Sequence, residues 1–155
     1  MLKLGLRYRV DELVPHRGAM SLLDSIDDYG VDWLRASVTP RSCGLFAAPG
    51  GVPAWVGIEY MAQAAAAFGG IEQVQHGAAP SVGMLIGARY YRCMQDLFPF
   101  DAPLGVFVKI AMRDTKDFAA YDCRLESLGR VIAECTLKAY RPRDIGTVLG
   151  NAAGG

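Results

Sequence analysis

VPAWVGIEYMAQAAAAFGG, Val52 to Gly70, is the stretch on which the fold turns. Pro53 suits a first helical turn, where its missing amide hydrogen is not needed, and Ala54 to Phe68 is rich in Ala, Met, Gln and Glu, all favourable in helices. Trp55, Val56, Ile58, Met61 and Ala64 to Ala67 put apolar surface on nearly every side, the pattern of a helix enclosed by other structure. Gly69 and Gly70 are expected to weaken or end it, with a second turn or a continuation over Ile71 to Gln75 before a loop from His76 to Pro80. One charge stands alone here: Glu59 is the only charged residue between Arg41 and Glu72. A carboxylate in apolar surroundings is costly unless it is paired, hydrogen-bonded or protonated. Gln63, one turn on, shares its face and is placed to bond it. The competing reading is a carboxylate that reaches solvent at the helix edge or is satisfied by backbone donors.

On either side of this helix the texture is extended. Before it, Met20 to Ser25 and Trp33 to Val38 read as strands, with Asp27, Asp28, Tyr29 and Gly30 as the turn between them, and Arg41 to Gly51 reads as a loop. After it come four strand signals, Val82 to Arg89, Leu104 to Arg113, Phe118 to Leu125 and Arg130 to Tyr140, the last two joined by a turn at Ser127 to Arg130. A hairpin, one apolar helix and a run of antiparallel strands make an α+β domain in which the sheet wraps the helix. The expected domain spans residues 1–155, with a frayed tail from about 144.

Bulk composition narrows the function. Lys plus Arg and Asp plus Glu both number 16, so no basic footprint for nucleic acid or an anionic membrane is expected. Zero net charge with 52% hydrophobic residues points to apolar surface covered by a partner subunit, most simply a homodimer. Cys43, Cys93, Cys123 and Cys135 lack paired short spacing and no secretory signal precedes them, so free thiols and a cytoplasmic location are expected. Neither histidine stands at metal-ligand spacing from a cysteine or from the other, so no metal is expected. The apolar run Gly44 to Ile58 is broken by Pro49, Gly50, Gly51 and Pro53 and does not read as a membrane span.

His16, in VPHRGAM, is the better placed histidine, because Pro15 and Gly18 fix an irregular backbone able to aim the ring. Free imidazole titrates near ~6.5 and works as a base at neutral pH without further tuning, although a histidine beside Arg17 also suits a structural or surface position. His76 reads as a loop residue. No GxSxG elbow or other nucleophile context is present, which disfavours a covalent mechanism, and Gly50–Gly51 is too short for a phosphate loop.

Two separated segments carry a family resemblance. VPHRGAMSLLD, Val14 to Asp24, and VPAWVGIEYMAQ, Val52 to Gln63, resemble the LPHRxPFLLVD and PGVLxxEAMAQ motifs of hot-dog-fold 3-hydroxyacyl-[acyl-carrier-protein] dehydratases. GMLIGARYYR, Gly83 to Arg92, and AECTLKAYRP, Ala133 to Pro142, are similar to the strand after the helix and to the closing strand. The likeness runs from about Val10 to Arg143 and is greatest to the divergent branch associated with aryl polyene synthesis. It implies a hot-dog fold, loss of water from a 3-hydroxyacyl thioester carried on the phosphopantetheine of acyl carrier protein or on CoA, no other cofactor, and sites shared across a dimer.

One position departs from that pattern. The family's GHFP-loop histidine, fourteen residues before the helix acid, falls here on Leu45, with Gly44 and Phe46 still matching their neighbours. Either His16 has taken over as base, or Glu59 works without an imidazole, or catalysis is lost. The resemblance implies His16 as base and Glu59 as the group that protonates or orients the hydroxyl, with the roles exchangeable. It also implies that the amides of Ala54 and Trp55 bind the thioester oxygen at the helix N-terminus. Phe46, Trp55, Tyr60 and Met84 are candidate walls of an acyl tunnel, and Arg89 a candidate contact for the phosphopantetheine phosphate. Gln63 is grouped with these binding residues. Two other readings remain open: acyl thioester hydrolysis, and a non-catalytic acyl-binding subunit, the latter motivated by Leu45.

Overall fold

Six antiparallel strands curl around one helix in the computed structural model, which describes residues 8–79, 83–114 and 117–140. A short helix α1 (Val10–Leu13) leads to strands β1 (Ser25–Tyr29) and β2 (Trp33–Val38). A two-residue strand β3 (Val52–Pro53) and a 3-10 turn at Ala54–Val56 then feed the central helix α2 (Gly57–Gln75). The remaining strands are β4 (Met84–Cys93), β5 (Leu97–Phe98), β6 (Leu104–Arg113), β7 (Phe118–Ser127) and β8 (Arg130–Tyr140). The main sheet runs β1-β2-β6-β7-β8-β4, and β3 pairs with β5 beside it.

Alternation along the strands explains which face meets the helix. Leu34, Ala36 and Val38 of β2, Val106 and Val108 of β6, Leu125 of β7 and Leu137 of β8 are all at most 1% exposed and share a core with Met61, Ala64, Phe68 and Ile71 of α2. Beyond the helix the pattern lapses. Ile110 is half-buried, and Met112, past a register shift that lets β6 bend away, is exposed. The β7–β8 turn is as expected from its sequence: Ser127 pairs with Arg130, and Leu128 and Gly129 take φ of 51° and 76°, the doubly left-handed turn that matches strand twist.

Two expectations are corrected, and one left open is decided. The first strand is Ser25–Tyr29, not Met20 to Ser25, so Asp27 and Asp28 lie within it. Asp27 is held there by the hydroxyls of Ser25 and, across the strand pair, of Ser37, while Met20 closes a 3-10 turn instead. Of the outcomes open at Gly69–Gly70, the central helix takes continuation and runs unbroken to Gln75. A Cβ on Gly70 would stand 2.8 Å from the Leu13 carbonyl oxygen, so the glycine lets α1 lie directly against α2 and that packing outweighs its poor propensity. The strand after the helix extends past Arg89 to Cys93; its expected start at Val82, and the tail from 144, fall outside the described residues.

Candidate active site

The segment after α1 is shaped by its own backbone. Arg17 turns back so that its guanidinium donates to the carbonyls of Val14 and His16, and Gly18 takes φ of 59°, a left-handed conformation that opens the 3-10 turn to Met20. This aims His16 at the first turn of α2, where Nε2 lies 3.2 Å from Glu59 Oε1. Gln63 fastens the two parts together. Its side chain, 0% exposed, donates from Nε2 to Glu59 Oε1 at 3.0 Å and to the Met20 carbonyl at 2.7 Å, and its Oε1 accepts the Leu22 amide at 2.9 Å. Both amide protons and the amide oxygen are thus used.

Glu59 is neither fully buried nor free: its side chain is 32% exposed, His16 is 29% exposed, and the helix N-terminus favours a negative charge at this turn. His16 Nδ1 is buried without a hydrogen-bond partner among the described residues. The other ring nitrogen, Nε2, is the one that faces Glu59. Both residues line a cavity of about 410 Å³, within the usual size of small-molecule sites, that continues past Ala62, Ala65 and Ala66 to Glu72 and Arg113.

The other residues singled out from sequence are placed differently. Phe46 and Trp55 meet edge to face with centroids 5.6 Å apart, but Trp55 is 61% exposed and neither lines this cavity. Phe46 and Tyr60 instead border a separate depression that also takes in Leu45, itself exposed. The Ala54 amide donates to the Asp96 carbonyl at 3.0 Å, so it is not available to a thioester oxygen in this arrangement. Arg89 is exposed on β4 and outside the cavity lining, and the Met84 side chain lies outside what is described. His76 caps the C-terminal end of α2, with Nδ1 2.7 Å from the Glu72 carbonyl.

Two features were not read from sequence. The Tyr91 hydroxyl donates to the Ala54 carbonyl beneath the start of α2, and a Cβ on Gly57 would stand 2.4 Å from that hydroxyl, so glycine is required there. Burial, with Cys93 close by, pushes the Tyr91 phenol up from its usual range. Burial first and the Asp24 charge second push Tyr60 up to about 12, so it is a neutral donor at physiological pH. The second feature is the Glu72–Arg113 pair at the far end of the cavity, with contacts of 2.9 and 2.6 Å.

No described helix is long and apolar enough to cross a membrane, and no described group of three or more His, Cys, Asp or Glu is gathered to hold a metal ion. Among solved structures, the chain is similar to one from the dehydratase heterocomplex ApeI:P of Xenorhabdus doucetiae, with 27% identity over 92% of this chain and 97% of that one and a TM-score of 0.81. A variant of the HP0420-homologue of Helicobacter felis shares the fold at 12% identity, covering 90% and 89% of the two chains, with a TM-score of 0.67. So does a hypothetical thioesterase of Streptococcus pneumoniae solved with coenzyme A, at 9% identity, 75% and 83% coverage and a TM-score of 0.59. These two likenesses establish the hot-dog fold alone. No curated protein matches the chain in sequence. The ApeP-like family, described as ApeP dehydratase, matches residues 8–150, and the chain belongs to that dehydratase family.

Proposed function

We propose that the protein removes water from a 3-hydroxyacyl thioester carried on acyl carrier protein, giving the trans-2-enoyl thioester, with His16 and Glu59 as the reacting pair. The observation that carries this reading is the 3.2 Å contact between His16 Nε2 and Glu59 Oε1 at the wall of a cavity. Dehydration needs a base for the proton beside the carbonyl and an acid for the departing hydroxyl. One proton shared between the two side chains serves both needs. His16 Nε2 takes the carbon-bound proton, the electron pair forms the new double bond, the C–O bond breaks, and the Glu59 carboxyl gives its proton to the leaving oxygen. The proton on Nε2 then returns to Glu59 across the same contact, and the pair is reset with no net proton uptake. Gln63 holds the carboxyl at the right height by its bond to Oε1. The N-terminal end of α2 is suited to stabilise negative charge on the thioester oxygen.

A second hot-dog chain completes the assembly in this reading. β4 is a ten-residue strand at the sheet edge, and Leu85, Ile86 and Tyr90 on it are exposed. The Xenorhabdus relative comes from a heterocomplex, which favours a related dehydratase chain as much as a second copy of this one. Light scattering of the chain alone and mixed with such a partner distinguishes the two.

The test is the mass of the acyl group on carrier protein after incubation with the assembled protein. Loss of one water, abolished in Glu59→Gln, is the expected outcome. Release of free thiol makes the protein a thioesterase, and an acyl group bound but unchanged makes it a non-catalytic subunit; either result overturns the proposal.

A further inference from the structure

Strand β4 changes phase near its end. Arg89 pairs with Thr136 but Arg92 pairs with Glu134, so Tyr90 and Tyr91 together stand opposite Cys135. Such a bulge re-aims the side chains that follow it, and bulges gather beside active sites. Tyr90 takes φ of 57°, a left-handed conformation unfavourable for a bulky residue, and its side chain points out, 79% exposed. Because side chains alternate along a strand, the extra residue brings Tyr91 in place of Tyr90 to the inner face, where it packs against the core. There its hydroxyl donates to the Ala54 carbonyl, which also accepts the Gly57 amide. Both lone pairs of that carbonyl are thus engaged. The hydroxyl is closely surrounded: a Cβ on Gly57 would overlap it and would stand 3.1 Å from both Leu125 and Phe98.

Taking His16 and Glu59 as the reacting pair, we infer that Tyr91 is a positioning residue: its hydroxyl, brought under α2 by the bulge, sets where the first helical turn, and with it Glu59, stands relative to His16. Glu59 lies two positions beyond Gly57 in that turn. The His16 side of the contact is fixed separately, through the bonds of Gln63 to Met20 and Leu22. The helix entrance is fixed from the sheet, by the Asp96 carbonyl on the Ala54 amide and by Tyr91 on the Ala54 carbonyl. Tyr91 does not line the cavity, so it acts on the chemistry through Glu59 and not by touching the substrate. A strained backbone at Tyr90 is retained because it delivers the next side chain to this carbonyl. Gly57 is the other half of the device, since any side chain there would push the hydroxyl off its acceptor.

The experiment compares Tyr91→Phe, Gly57→Ala and the double variant with the unaltered protein, each as the assembled protein. Tyr91→Phe removes one oxygen and keeps the ring, so kcat for dehydration is expected to fall by up to roughly 10²-fold while KM holds. Gly57→Ala is expected to melt at lower temperature, because its methyl meets the hydroxyl; adding Tyr91→Phe is expected to recover much of that loss and none of the kcat. A Tyr91→Phe protein with unaltered kcat, or a double variant whose kcat returns with its stability, makes the hydroxyl a packing group and overturns the inference. A double variant no more stable than Gly57→Ala overturns it as well. Hydrogen exchange at the Gly57 amide, followed by NMR, reads the same brace without chemistry and is expected to quicken in Tyr91→Phe. If the unaltered protein releases no water yet this exchange quickens, the dehydratase reading fails and the brace stands. Exchange that does not change refutes the brace whatever the chemistry.

Discussion

Two segments converge on the start of the central helix, and they are held in different ways. Residues 14–22 are anchored at long range: Gln63 bonds both Met20 and Leu22 from more than forty positions away, and Arg17 ties back the turn that carries His16. Residues 41–51 are held mainly by their own turns, Gly44 to Arg41, Ala47 to Gly44 and Ala48 with Gly51, and Leu45 is 57% exposed. In the dehydratases this sequence resembles, the imidazole belongs to the second segment. Here the ring within reach of the helix acid belongs to the first. A side chain is aimed by what clamps its backbone, and in this chain the clamp is Gln63.

The sharpest way to break the comparison is to exchange the two segments' chemistry. His16→Ala is expected to slow dehydration by roughly 10²- to 10⁴-fold, the range for removing a positioned base. Adding Leu45→His in that background is expected to restore nothing, as read by single-turnover kinetics; recovery of activity would return the base to the second loop. Gln63→Leu removes three hydrogen bonds and strands the Leu22 amide and Met20 carbonyl, so thermal or urea unfolding is expected to show a loss of roughly 3 kcal/mol. Its kcat is expected to fall more than its KM rises, because the aim of the pair is lost and the cavity is kept.

A smaller effect probes α1, which precedes the anchored segment. Gly70→Ala is expected to cost about 1–3 kcal/mol, since the new methyl would press on the Leu13 carbonyl. Gly87→Ala, with nothing within 4 Å of its Cβ, is expected to change stability by under about 0.5 kcal/mol. Equal effects at the two glycines would mean that α1 is not seated on α2. The smallest effect concerns pH. The Tyr60 phenol is raised in the folded protein from 10.0 to about 12, so the fold holds its proton longer than the unfolded chain does. Stability is therefore complete below pH 10 and declines as pH rises toward 12, and Tyr60→Phe is expected to flatten that decline in urea titrations across this window.

Much of this was legible in the sequence because it depends on period. Alternation identified β6 and β8 to the residue, and the Ser127–Arg130 turn was readable from Leu128–Gly129. What depended on distant partners was not. Asp27 and Asp28 carry turn chemistry, yet Ser37 across the strand pair keeps them extended. Gly69 and Gly70 are poor helix residues, yet the approach of Leu13 makes the second necessary. At the site, Gln63 beside Glu59 followed from helical spacing, but its grip on Met20 and Leu22 did not, and Ala54 was assigned an open amide that the carbonyl of Asp96 already occupies. Trp55 looked like core because it sits in an apolar run; it stands outside that core at the helix entrance, against Phe46.

The central claim is that His16 and Glu59 act as one unit. It is tested most directly by single-turnover dehydration rates for His16→Ala, Glu59→Gln and the double variant. If the pair shares one proton, the double variant is no slower than the slower single variant, because either change already disables the unit. Losses that multiply in full would mean two independent residues and would contradict the account.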